Sequence, residues 1–248
     1  VQKSLKVAED NNVSEKQKGK LLVDLGRIYR LNNQFDKAVE TYMKALSIAK
    51  KNNDHASAGV IYMNTGNVYV QKDELKTATD YYLRSIAENK LCECEGKIGP
   101  IWTNMGSLYY NLEDTKNMAL AIKNAEKHTL DKRNIDFQID ITTLKGMLAQ
   151  LKEDHEQALK YLKKAKKIAI SNKLTAKEVE VDGLLQISYL AMGEEEKANE
   201  ILTEALAVKD SLHNENISNE ALIIHLSQDF SLEDIFYLLL LVDIFLHE

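Results

Sequence analysis

The chain has 248 residues, 44% hydrophobic and 28% charged, with a formal net charge of −6. That acidic balance argues against a general nucleic-acid footprint. Two cysteines make no disulfide framework, so the sequence demands no oxidising compartment.

Residues 1–18 read as the end of a partial repeat. Leu5, Val7 and Ala8 before Asp10-Asn11-Asn12 echo Leu46, Ile48 and Ala49 before Lys51-Asn52-Asn53. The chain is therefore expected to open inside the second helix of an earlier unit.

Residues 19–216 read as five units of 40 residues. Gly26, Gly66, Gly106 and Gly146 are spaced by 40, and the next step lands on Gln186. Tyr29, Tyr69, Tyr109, Ala149 and Tyr189 keep the interval, as do Ala38, Ala78, Met118, Ala158 and Ala198. Ala45, Ser85, Ala125, Ala165 and Ala205 make a fourth series. A period of this size marks a stack of supersecondary units, each burying its face on its neighbours. In the second unit, Tyr62, Gly66 and Tyr69 share a helical face. Gln71-Lys72-Asp73-Glu74 is a polar turn, and Leu75, Ala78, Tyr82 and Ile86 follow at helical spacing. Each unit is thus expected to be two antiparallel helices joined by a short turn. Glycine in a helix costs about 1 kcal/mol against alanine. Four in step imply close approach of two axes, Gly66 meeting only the Ala78 methyl.

The order Gly, Tyr, Ala, aromatic, Ala resembles the tetratricopeptide repeat. The first unit carries it as Leu22, Leu25, Gly26, Tyr29, Phe35, Ala38, Tyr42 and Ala45. The resemblance implies an all-α, right-handed superhelical solenoid of antiparallel helix pairs. It would have about five full repeats, a partial N-terminal repeat and C-terminal capping helices. The family's common period is 34 and its closing proline is absent here. The longer form is similar to that of kinesin light chains and bacterial peptide receptors, and the six extra residues are expected to lengthen both the helices and the loop between units.

On each first helix, one face lies opposite the glycine. The resemblance implies that it lines the concave side and holds a protein or peptide segment, with Arg27, Arg30, Asn64, Asn67, Asn104, Ser107 and Asn111 as the partner-binding residues. Asn64 and Asn104 occupy equivalent positions in adjacent units. Each offers a donor and an acceptor, as a peptide backbone requires. They also read as plain solvated groove residues. Arg27 and Arg30 suit a carboxylate, or stand as surface charges. Leu144, Met147, Leu184 and Ile187 make the C-terminal end of this face apolar. The implied role is a non-catalytic scaffold. The alternative is a regulatory sensor module of a bacterial signalling protein, of two-component or peptide-pheromone type.

Residues 217–248 read as capping helices. The apolar run Ile235–Leu246 has 12 residues and contains Asp243, against about 20 needed to span a bilayer. It is expected to cover the apolar end of the groove, with self-association as a further possibility. The six histidines do not cluster, and Cys92-Glu93-Cys94 has no second pair to complete a metal site. No metal, cofactor or catalytic residue is expected. The expected compartment is the cytoplasm, or the periplasm for a sensor domain.

Overall fold

The computed structural model describes residues 14–129, 131 and 133–208, and the described residues form helices with no strand. They are α1 (Glu15–Leu31), α2 (Phe35–Lys51), α3 (His55–Gln71), α4 (Leu75–Leu91), a 3₁₀ turn (Glu95–Lys97), α5 (Ile98–Asn111), α6 (Thr115–His128), α7 (Ile135–Leu151), α8 (His155–Ser171) and α9 (Thr175–Ala191). A tenth helix, α10, runs through 195–208. Each helix packs on its sequence neighbour, and α5 and α7 also touch across the first helices of successive units.

The helices start four residues earlier than the repeat pattern alone suggests. Ser14 caps α1 in a reciprocal capping box with Gln17, and Asp54 and Asn134 cap α3 and α7 through the N–H three residues on. The expected boundary between residues 18 and 19 therefore falls inside α1. The capping segment 217–248 and the partial repeat before residue 14 lie outside the described residues.

In units one, two and four the extra length lies in the helices, whereas the two helices of unit three have 14 residues each. α3 and α4 have 17 residues each, and three-residue turns both join them and separate the units. Between units three and four the loop is longer, since α6 ends at His128 and α7 begins at Ile135, while the other described junctions are no longer than the turn within a unit. The same turn recurs every 20 residues. Asn33, Asn53, Asp73, Glu93, Glu113, Glu153, Lys173 and Gly193 all have positive φ. The next N–H reaches back five residues, as in Gln34 to Tyr29, Asp54 to Ala49 and Glu74 to Tyr69. This is the Schellman closure of a helix, and its last residue is the N-cap of the following helix. A left-handed residue other than glycine costs about 1 kcal/mol, which the satisfied carbonyls offset. The series skips residue 133, because α6 ends at His128 and α7 begins at Ile135. The junction between units three and four is thus the irregular one.

The glycines make room for something larger than a methyl group. A Cβ at position 66 would lie 2.7 Å from Tyr82 Cε1, and one at 146 would lie 2.7 Å from Leu162 Cγ. Gly26 receives Tyr42 in the same way. Ala38, Ala78, Met118, Ala158 and Ala198 are fully buried beside these contacts. The expected Gly–Ala approach is therefore one part of a joint whose main filler is the bulky side chain 16 positions after the glycine. In unit three, Gly106 accepts Leu144 of the next unit instead, at 2.9 Å from a built Cβ.

Candidate functional site

Arg30, Asn67, Asn104, Ser107 and Asn111 line one hollow of about 240 Å³, with Tyr82 and Gln71 beside them. Five of the seven candidate residues thus come together from α1, α3 and α5. Arg27 is exposed and pairs with Asp24 on its own helix at 3.3 Å, and Asn64 lies outside this hollow.

The core reaches this hollow through the glycine. Tyr82 rises from α4 across Gly66, and its hydroxyl donates to Asn67 Oδ1 at 2.7 Å. Asn104 Nδ2 donates to the same oxygen at 3.2 Å. The asparagines in contact are therefore Asn67 and Asn104, not Asn64 and Asn104. Their bond leaves the Asn67 amide N–H₂ and the Asn104 carbonyl oxygen facing opposite needs of a peptide backbone. The glycine and tyrosine series pointed to the core, and nothing in the spacing marked Tyr82 as a groove residue.

Arg30 supplies the charge. Among the described residues its buried Nε has no hydrogen-bond partner, and the buried Tyr42 hydroxyl lies beside the guanidinium. Burial pushes the Tyr42 phenol up, against the pull of the Arg30 guanidinium. Burial also raises the Tyr82 phenol, with Arg30 again opposing. Both hydroxyls stay protonated, able to donate.

A second, smaller hollow of about 140 Å³ shares Asn104 and Ser107 and continues toward α7 and α9. Asp140 and Lys177 are ion-paired there, and burial holds Thr143 Oγ1 without a partner. Beyond it the groove changes, though not into an open apolar channel. Leu144 is 1% exposed and Met147 is 8% exposed. Leu144 fills the space over Gly106, and Leu184 packs on the same cluster. Leu144 and Met147 of α7 are therefore interior. Ile187 alone of the four apolar groove residues is largely exposed, at 48%. Gln150, buried at 7%, pins three units here. It accepts from the Tyr110 hydroxyl and donates to the Leu184 carbonyl and Ser188 Oγ.

The remaining polar chemistry is structural. Cys92 and Cys94, read in the sequence as two thiols, are joined as a disulfide across the turn after α4. His55 meets Glu88 and His128 meets Glu95, each at 2.7 Å. Among the described residues no three His, Cys, Asp or Glu side chains group as metal ligands. No described helix is long and apolar enough to cross a membrane.

Family models of the tetratricopeptide repeat match residues 17–87, over α1 to α4, and 140–169, over parts of α7 and α8. The chain contains tetratricopeptide repeats. Its TPR stack is similar in fold to solved structures at low identity. BtubC (BKLC) from P. vanneervenii shares 16% identity over 86% of this chain and 87% of that one, with a TM-score of 0.64. Aspartyl phosphate phosphatase F from Bacillus subtilis shares 12% over 84% of this chain, with a TM-score of 0.65, and the match spans 55% of that protein. A signal transduction ATPase of the STAND type from Pyrococcus horikoshii, which has a tetratricopeptide repeat sensor, shares 19% over 80% of this chain. There the match spans 31% of that protein, with a TM-score of 0.59. Comparison of the sequence with curated proteins gives no match.

Proposed function

We propose that this TPR stack is a non-catalytic scaffold that holds an extended protein or peptide segment in its concave groove, seated over Arg30, Asn67 and Asn104. The observation that carries this reading is the hollow itself. Residues from three successive units converge on it, with the Arg30 guanidinium, whose Nε has no hydrogen-bond partner among the described residues, and amide groups left over from the Asn67–Asn104 bond. A carboxylate or backbone carbonyl matches the first, and an extended backbone matches the second. The Asn67→Ala/Asn104→Ala double variant tests it. Pull-down from lysate should lose a specific partner while helicity by circular dichroism is kept, and an unchanged partner set would end the proposal.

A sensor role in a bacterial signalling protein is the second reading. It uses the same groove, and the irregular junction between units three and four favours it as the place where the pitch of the stack could respond to a ligand. Small-angle scattering with and without bound partner separates the two. A scaffold keeps its dimensions, and a sensor changes them.

A further inference from the structure

Toward the other end of the same helices lies a larger hollow, of about 490 Å³. Val23 of α1, Ile48 of α2 and Val60 of α3 give it an apolar floor. Lys16 and Lys20, one turn apart on α1, stand on its rim with Lys97 from the 3₁₀ turn that opens unit three. Among the described residues none of these three lysines has an ion-pair partner.

The other polar groups of the rim are committed. Asn52 Nδ2 donates to the Ile48 carbonyl at 2.9 Å. Ser57 gives its N–H to Asp54 Oδ1 and its hydroxyl to Asp54 Oδ2, each at 2.9 Å. The Ser57 N–H holds the Asp54 carboxyl below the usual range, with Lys16 and Lys97 adding to it. The one carboxylate of the rim is therefore a helix cap already in use. In a chain with 38 acidic and 32 basic residues, three unpaired ammonium groups around one hollow reverse the general balance. Its volume lies in the range that takes a small ligand or a few side chains.

We propose that this hollow is a second subsite, which receives an acidic stretch of the bound peptide: a carboxylate among Lys16, Lys20 and Lys97, with an adjacent apolar side chain on the Val23, Ile48 and Val60 floor. The proposal rests on the peptide-binding reading above and names the class of segment that the groove selects. A neutral or basic segment leaves the ammonium groups unmatched. Lysines act as point charges on flexible stems, so the subsite selects charge rather than one carboxylate geometry.

Selection of a displayed random-peptide library on the full chain tests it, alongside the Lys16→Gln/Lys20→Gln/Lys97→Gln variant and the Asn67→Ala/Asn104→Ala variant. All three lysines are exposed, so the first variant keeps its fold, which circular dichroism verifies. Peptides retained by the unaltered chain should be enriched in Asp or Glu next to apolar residues. The triple variant should bind those peptides about tenfold more weakly, as expected for the loss of several exposed charge pairs. Added salt should weaken the unaltered chain toward the same value. Retained peptides without acidic enrichment, or with affinity unchanged in the triple variant, overturn the subsite while leaving the peptide reading intact. Failure of the unaltered chain to retain any peptide overturns both.

Discussion

Units one to three and units four to five are built on one repeat but treat the inner face differently. In the first two units a tyrosine crosses a glycine, and from Tyr82 a hydroxyl emerges in the groove to hold Asn67. In unit four the crossing residue is Leu162, which carries no polar tip, and the inner side of α7 is filled by buried Leu144 and Met147. The same joint therefore does two things. With tyrosine it links core packing to a polar groove, and with leucine it only closes the stack. In unit five the glycine is replaced by Gln186, and Gly183, elsewhere on α9, has nothing within 4 Å.

The largest effect should come from emptying the joint. Tyr82→Ala removes a side chain that is 2% exposed and should cost about 3–5 kcal/mol in chemical denaturation. Leu162→Ala should cost a comparable amount, about 2–5 kcal/mol. Tyr82→Phe sharpens the contrast. It keeps the packing, loses about 1 kcal/mol for the hydroxyl bond, and weakens partner binding, which no Leu162 variant at constant fold should do.

A smaller effect of opposite sign separates the two kinds of glycine. Gly66→Ala puts a methyl 2.7 Å from the Tyr82 ring and should cost about 1–3 kcal/mol by overpacking. Gly183→Ala meets open space and should gain up to about 1 kcal/mol from helix propensity. Thermal melts of both variants check this, and equal signs would break the comparison.

Unit five offers a pH test. Asp182, 1% exposed, pairs with Lys166 at 2.9 Å, and Lys166 also reaches Glu204 at 2.8 Å. Burial raises the Asp182 carboxyl above its ordinary value of 3.8, against the pull of Lys166. A raised carboxyl favours the folded state in its protonated form. That contribution is fully present below the unfolded value and is lost as pH rises through the folded one. Asp182→Asn should flatten the fall in stability that begins as pH rises above the unfolded carboxyl value of about 4. An unchanged slope would contradict it.

The smallest effect concerns the ends of the hairpins. His55–Glu88 in unit two and Glu95–His128 in unit three occupy equivalent positions with the two residue types exchanged. Unit four has Ile135 and Ile168 there. His55→Glu combined with Glu88→His should leave stability within about 0.5 kcal/mol, while either change alone should cost up to about 1 kcal/mol. A double-mutant cycle measures the coupling.

The repeat, the helix pairs and the placing of most groove residues were legible because the glycine, alanine and tyrosine series fix a helical face. What spacing hides is reach. That Tyr82 extends past Gly66 to Asn67, or that Leu144 turns inward over Gly106, depends on which side chain fills each gap. The missing phase of four residues was recoverable from Ser14-x-x-Gln17 and from Asp54, which are local capping signals rather than periodic ones. The recurring left-handed turn residue escaped notice because Asn, Asp, Glu, Lys and Gly all occupy it, so no residue type repeats.

Photo-crosslinking of a peptide selected by the chain tests the groove most directly. Benzophenone side chains would be placed at Ser107, on the rim of the hollow, and at Leu83, exposed on α4 outside it. Strong crosslinking from position 107 and none from position 83 is the expected result. The reverse pattern would contradict binding in the concave groove.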